Sequence, residues 1–148
     1  MNEEMYLLDN NVLSHLSRAQ RKSEFFMERC RLPAEVLHEA KNYPDAVGFR
    51  DVEYPTTASV LEFLRMVMAT VPADDTKLVN LYANKGAADP MLIACALDGM
   101  QETAAHLYGP IWIVVSNDNA VREKAEDLGV NSCSREEFAV KTLDSWDR

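Results

Sequence analysis

The feature that most constrains this chain is the run at residues 111–115, Ile-Trp-Ile-Val-Val, which contains no charged or amide side chain. A strand of this kind is apolar on both faces, so both faces have to be covered. Parallel sheets meet that requirement, because their crossover connections place helices on both sides. The run therefore predicts a buried central strand in an α/β fold.

Other strand and helix patterns alternate along the chain. Shorter strands are predicted at 5–8, 31–34, 52–54 and 130–133. Helices are predicted over 10–20, 22–29, 36–41, 57–71, 76–84, 90–108, 120–128 and 135–143. The segment 42–57 is the least legible, since it holds Pro44, Gly48 and Pro55. Alternation of this kind predicts a layered α/β fold with a mainly parallel sheet.

Length and composition narrow the class of protein. The chain has 148 residues, of which 47% are hydrophobic and 26% charged, as expected of one globular domain spanning 1–148. No apolar run reaches the roughly 20 residues that span a bilayer, and no signal-peptide pattern opens the sequence. The three cysteines are widely spaced and form no CxxC pair, which predicts buried thiols. We therefore expect a cytoplasmic protein.

The charge pattern argues against a nonspecific nucleic-acid coat. The net charge is −9, whereas such a coat needs a basic face. One basic cluster stands out within residues 18–31: Arg18, Arg21, Lys22, Arg29 and Arg31. The cluster has two interpretations, a solvated helix face or a local edge that contacts phosphates.

Four acidic residues are candidates for a shared site, two after predicted strands and two at or within predicted helices. They are Asp9, Glu39, Asp89 and Asp118. Ligands of such folds bind beyond the carboxyl ends of the strands, and Asp9 and Asp118 each follow a predicted strand. Carboxylates that share a crevice repel one another unless a cation neutralises them, and hard divalent cations prefer carboxylate oxygens. Two such ions promote in-line phosphodiester displacement, so the residues indicate a metal-dependent phosphodiesterase.

Each acid also has a simpler interpretation. Asp9, Asp89 and Asp118 each precede a predicted helix and could serve as its N-cap, with Pro90 as the first helical residue after Asp89. Glu39 could be a surface helix residue. The chain has 24 acidic residues, so spacing alone does not decide between these interpretations. The roles are compatible, because one carboxylate oxygen can cap a helix while the other binds a cation.

Four segments, in order, resemble the motifs of PIN-domain nucleases. They are Leu7-Leu8-Asp9-Asn10-Asn11-Val12-Leu13, Pro33-Ala34-Glu35-Val36-Leu37-His38-Glu39, Ala88-Asp89-Pro90-Met91-Leu92-Ile93-Ala94-Cys95-Ala96 and Val114-Val115-Ser116-Asn117-Asp118. The match covers about residues 5–131 and includes a helix and final strand after the fourth motif.

The resemblance implies a three-layer α/β/α fold and hydrolysis of RNA, usually single-stranded. It implies Mg²⁺ or Mn²⁺ held by Asp9, Glu39, Asp89 and Asp118, with Asn10 and Ser116 orienting these ligands. Many small members are VapC-type toxins of toxin–antitoxin pairs, which dimerise and are silenced by a protein partner. The resemblance therefore also implies a homodimer and an antitoxin-like partner.

The chain departs from the family pattern in places, and rival functions follow. Glu35 lies four residues before Glu39 and is an alternative for the second-motif acid. The segment 42–57 has no clear counterpart in the family. One rival is a catalytically silent PIN-like module that binds proteins. Another is a phosphatase with an Asp nucleophile, which would favour an Asp two residues after Asp9, where this chain has Asn11.

Overall fold

The computed structural model describes residues 3–70 and 88–147, with side chains described from residue 90 onward in the second range. Its five strands form one sheet in the order β3-β2-β1-β4-β5, and every neighbouring pair is parallel. The strands are β1 Glu4–Leu8, β2 Cys30–Pro33, β3 Glu53–Tyr54, β4 Ile111–Val115 and β5 Asn131–Cys133. The predicted α/β class with a parallel sheet is confirmed.

Helices connect the strands and cover the sheet. The α-helices in the described ranges are α1 Asn10–Ser14, α2 Glu24–Arg29, α3 Ala34–Glu39, α4 Ala58–Ala69, α5 Ala88–Thr103, α6 Asn119–Asp127 and α7 Arg135–Lys141. Short 3-10 helices occupy Gln20–Lys22 and Ala46–Val52. The second of these lies in the segment that was hardest to read from sequence. The helix predicted at 76–84 falls outside the described residues.

Alternating side chains of the central strands build two separate cores. Tyr6 and Leu8 of β1 pack on one face of the sheet, in a cluster that also holds Phe26 of α2 and Phe138 of α7. Leu7 points to the other face, where residues of α4, α5 and α6 cover it. The central strands are thus apolar on both faces because each face carries a helix layer, as in a three-layer α/β/α arrangement.

The first helix is shorter than the pattern over 10–20 predicts. It ends at Ser14, where the Ser14 hydroxyl (2.7 Å) and His15 Nδ1 (2.8 Å) both contact the carbonyl oxygen of Asn11. Side chains that compete for backbone groups in this way favour turns over helix interiors. Ser17 and Gln20 then exchange side-chain and backbone hydrogen bonds at 2.7 and 3.0 Å. The segment consequently continues as a turn, and the prediction of a longer helix was wrong.

The C-terminal end of α5 differs from the prediction. The helix is described from Ala88, at the edge of the second described range, so the N-cap predicted at Asp89 stays a prediction. It ends at Thr103, whose hydroxyl donates to the Gly99 carbonyl at 2.9 Å, and not near Gly109. Turns follow, closed by the hydrogen bond from His106 N to the Thr103 carbonyl. A polar residue that bonds its own helix backbone in this way favours termination.

All three cysteines are free and buried, as predicted. Burial raises the pKa of the Cys133 thiol to about 11, and it raises the pKa values of Cys30 and Cys95 as well. The thiols are therefore protonated near neutral pH and belong to the core. None of the helices in the described ranges is long and apolar enough to cross a membrane.

Candidate active site at the carboxyl edge of the sheet

The strand order brings two of the four predicted acids to one edge. β1 and β4 are neighbours, and their register pairs Leu8 with Val115, the last residue of each strand. Asp9 follows directly and donates its backbone N–H to the Val115 carbonyl at 3.4 Å. Asp118 follows β4 after a two-residue turn. The edge where β1 and β4 end therefore carries two carboxylates from distant parts of the chain, at the position where parallel sheets bind ligands.

Asp9 is a nearly buried acid, with 8% of its surface exposed. Its Oδ1 accepts the backbone N–H of Val12 at 2.9 Å, so it caps α1. The cap interpretation is confirmed for this residue, and it involves one of the two carboxylate oxygens. A carboxylate with so little exposed surface at a strand end is a candidate cation ligand, because a bound cation favours its charged form.

Asp118 is held by a local hydrogen-bonded turn. The fully buried Ser116 accepts the Asp118 backbone N–H on its hydroxyl at 3.1 Å. Asp118 Oδ1 in turn accepts the Ala120 N–H at 3.0 Å and caps α6. The Ser116 carbonyl accepts from Arg122 Nη1 at 2.9 Å. Ser116 thus fixes the backbone from which the Asp118 carboxylate projects.

The other predicted acids lie on helices. Asp89 lies in α5, and its side chain is outside the described part of the molecule. Glu39 is the last residue of α3 and is exposed. Glu35, the alternative to Glu39, is half-buried, and its Oε2 is buried without a hydrogen bond from the described residues. Burial is the main cause of the raised pKa of Cys95, and the nearby Glu35 charge is the second cause. Glu35 therefore lies beside α5.

A second group of buried polar atoms lies on the face of the sheet that α5 covers. Asp98 of α5 is 2% exposed, and its Oδ2 accepts the Tyr54 hydroxyl at 2.5 Å. Burial and this hydrogen bond raise the pKa of Tyr54. The Tyr54 ring meets Trp112 edge-on at 5.3 Å between centroids. This pair belongs to the packing of α5 on β3 and β4.

Two polar residues near the edge had no signal in the sequence. Tyr43 donates its hydroxyl to Asn10 Oδ1 at 3.2 Å, so the predicted supporting residue Asn10 is itself held from the 42–57 segment. Arg135 of α7 donates from Nη1 to Asn11 Oδ1 at 2.8 Å and reaches His15 Nδ1 at 3.3 Å. Both contacts join segments far apart in sequence, so no local spacing could have predicted them.

The basic cluster is largely committed to the fold. Arg21 forms a two-point ion pair with Asp45 at 2.9 and 3.2 Å. Arg29 donates to the Glu4 carbonyl at 2.7 Å, and Arg31 to the Met27 carbonyl at 2.9 Å. These three arginines therefore form neither a solvated helix face nor an edge that contacts phosphates. Arg18 and Lys22 are exposed.

The donor set suits a hard divalent cation. Within the described ranges, no three His, Cys, Asp or Glu side chains form a group that could hold a metal. The described part contributes Asp9 and Asp118, whose carboxylate oxygens are the donors that Mg²⁺ and Mn²⁺ prefer. The Asp89 side chain lies outside that part, so the four-acid site remains a prediction.

No protein-family model matches this chain, and a comparison with curated proteins finds no match either.

Proposed function

We propose that this protein is a divalent-metal-dependent endoribonuclease of PIN type, that is, a hydrolase of RNA phosphodiester bonds. The observation that carries the proposal is the position of Asp9. It is a nearly buried carboxylate at the end of the central strand β1, beside the β4 turn that presents Asp118. The parallel sheet order and the four motif segments support the same function.

Each residue has a role in this proposal. Asp9, Asp89 and Asp118 would hold Mg²⁺ or Mn²⁺, and Glu39 would bind metal or position the attacking water. The cation would supply a Lewis acid that favours attack by water on phosphorus and neutralises charge on the leaving oxygen. Ser116 would orient Asp118 through the hydrogen bond described above, and the resemblance gives Asn10, which Tyr43 holds in place, a similar supporting role. The water adds to phosphorus, the bond to the leaving oxygen breaks, and that oxygen takes a proton.

Metal removal tests the proposal directly. We expect purified protein to cleave an end-labelled single-stranded RNA with Mg²⁺ or Mn²⁺, and to lose that cleavage in EDTA. Readdition of metal should restore the rate, because the Lewis acid that favours attack on phosphorus returns with the cation. Product sizes on a denaturing gel measure the reaction. Cleavage that persists in EDTA would contradict a metal-dependent mechanism.

The second-motif acid can be assigned with a matched pair of substitutions on α3. Glu39→Gln is expected to lower the rate of RNA cleavage about tenfold or more, since a ligand should matter at least as much as the residues that support it. Glu35→Gln is expected to have a smaller effect, because Glu35 faces α5 near Cys95. Initial rates at saturating Mn²⁺ would compare the two variants. The reverse ranking would move the role to Glu35.

The rival function is a catalytically silent PIN-like module that acts through protein partners. The cleavage assay separates the two functions, since such a module needs no metal and shows no cleavage that depends on Asp9. We place the proposed nuclease in the cytoplasm, with RNA as substrate. By the same resemblance it would form a homodimer and pair with an antitoxin-like protein.

A further inference from the structure

The 3-10 helix Ala46–Val52 separates two hollows on the surface, of about 390 and 410 Å³. Val47 of this helix lines both hollows and is 85% exposed, so the two adjoin one another. Four cations also line them, Lys41 and Arg50 in the first hollow and Arg18 and Lys22 in the second. We call the helix and these four cations the 46–52 face.

The cations of the 46–52 face have no partners within the described part of the chain. Among the described lysines and arginines, these four alone place their charged group in no ion pair, hydrogen bond or ring contact with another described residue. All four side chains are exposed. The free positive charge of the described residues is therefore gathered on one face of a chain whose net charge is −9.

The acidic side chains of the face leave this positive charge in excess. Asp45 lines the second hollow, but it is paired with Arg21. Asp51 and Glu53 are exposed acids, one in each hollow. Four free cations thus stand against two exposed carboxylates. A ligand with several spaced negative charges would neutralise the excess.

The 46–52 face adjoins the candidate active site. The Tyr43 hydroxyl donates at 3.2 Å to Asn10, which follows the carboxylate at the end of β1. The Arg21 guanidinium lines the second hollow and lies over the Tyr43 ring, 5.1 Å from its centroid. His38, which directly precedes Glu39, lines the first hollow. One tyrosine side chain thus separates Asn10 from the second hollow, a distance that a few nucleotides of about 3.4 Å each span.

The chemistry of the face favours a phosphate strand over an acidic protein segment. Val47 is the one large apolar side chain that is exposed in either lining, whereas protein interfaces have an apolar, often aromatic core. The adjacent edge strand β3 has only two residues, which is a short ladder for an added peptide strand. Phosphates need only spaced lysines and arginines along the path of the backbone.

We infer that the 46–52 face binds the phosphate backbone of single-stranded RNA and guides the strand to the carboxylate edge. The inference rests on the proposed function and names the surface that would hold the substrate beyond the cleaved bond. It also explains how a protein of net charge −9 binds RNA, because counterion release depends on the cations that contact the phosphates and not on the charge of the whole chain.

A matched pair of double substitutions tests the inference. Lys22→Gln with Arg50→Gln removes one free cation from each hollow, whereas Arg65→Gln with Lys141→Gln removes two exposed cations that line neither hollow. Binding of a fluorescein-labelled RNA dodecamer would be measured by anisotropy in EDTA. We expect the first variant to bind about tenfold more weakly at about 50 mM salt, and the second to bind within about twofold of wild type.

Salt dependence and an abasic probe give readouts that a purely structural effect would not move. Each phosphate contact of a single strand contributes about 0.7 to the slope of log K against log salt, so the first variant should lose about 1.4 of that slope. An abasic dodecamer keeps every phosphate, and wild type should bind it within about threefold of the normal probe. An unchanged slope in the first variant would overturn the inference, as would failure of wild type to bind RNA.

An acidic peptide is the rival occupant of the face. Polyglutamate of the same charge as the dodecamer is expected to bind wild type more weakly than the RNA does. If the peptide binds more tightly and displaces the RNA, the face is a protein-binding surface and the inference is overturned. Thermal unfolding of both double variants shows whether they keep the native fold, which the exposure of all four positions favours.

The two proposals can fail separately. Metal-dependent cleavage by wild type, with an unchanged salt slope in the first variant, would retain the nuclease and reject the 46–52 face. Binding of RNA with a slope that falls in the first variant, without any metal-dependent cleavage, would retain the face and reject the nuclease.

Discussion

Asp9→Asn is expected to lower metal-dependent RNA cleavage by about 100-fold or more, because even residues that only support metal ligands cost 10- to 100-fold when changed. The fold should survive. Asparagine keeps the side-chain oxygen that accepts the Val12 N–H, so the cap of α1 is retained. The melting temperature should stay close to that of the wild type, since the substitution keeps both the size of the side chain and the cap.

Asp127→Asn is the matched control for this prediction. Asp127 ends α6 and is exposed, so the same chemical change there should alter neither cleavage nor stability. Initial cleavage rates and thermal unfolding would be measured on proteins prepared identically. Full activity in Asp9→Asn would reject the assigned mechanism, and equal residual activity in all three proteins would indicate a contaminating nuclease.

Asp45→Asn is expected to destabilise the protein by about 3 kcal/mol, the scale seen when one partner of a buried ion pair is lost. The side chains of Arg21 and Asp45 are only 11% and 10% exposed. The Arg21 guanidinium also lies over the rings of Tyr43 and Phe49, at 5.1 and 6.0 Å from their centroids. Without the carboxylate charge, the guanidinium would remain in this apolar position with weaker compensation.

Glu62→Gln tests the same chemistry at the surface. Glu62 pairs with Arg65 one helical turn away, and their side chains are 68% and 78% exposed. Solvent screens exposed pairs of this kind, so urea unfolding should show little change. Similar unfolding free energies for Asp45→Asn and wild type would contradict a structural role for the Arg21–Asp45 pair. That result would leave Arg21 available for phosphate binding, as one interpretation of the basic cluster held.

Local patterns predicted much of the secondary structure correctly. The run at 111–115 is a strand with both faces buried, because its composition excludes any exposed face. Thr57 and Asp118 cap helices, and Gly129 follows α6 with a φ of +76°, since these residues act on backbone groups a few positions away. The helix predicted for α1 was too long, which shows the limit of such patterns. Helix periodicity takes no account of side chains that bond the backbone, as those of Ser14 and His15 do at the Asn11 carbonyl.

The sequence by itself determined the α/β class, the buried thiols and the strand-end position of Asp9 and Asp118. Each follows from interactions between near neighbours or from the requirement that apolar faces be covered. Only the tertiary structure decided that β1 lies beside β4 and so brings Asp9 next to the Ser116 turn. It also decided that Arg135 donates to Asn11 and that Arg21 forms an ion pair with Asp45. The physical reason is that strand order and helix packing join residues whose separation along the chain leaves no local pattern to be read.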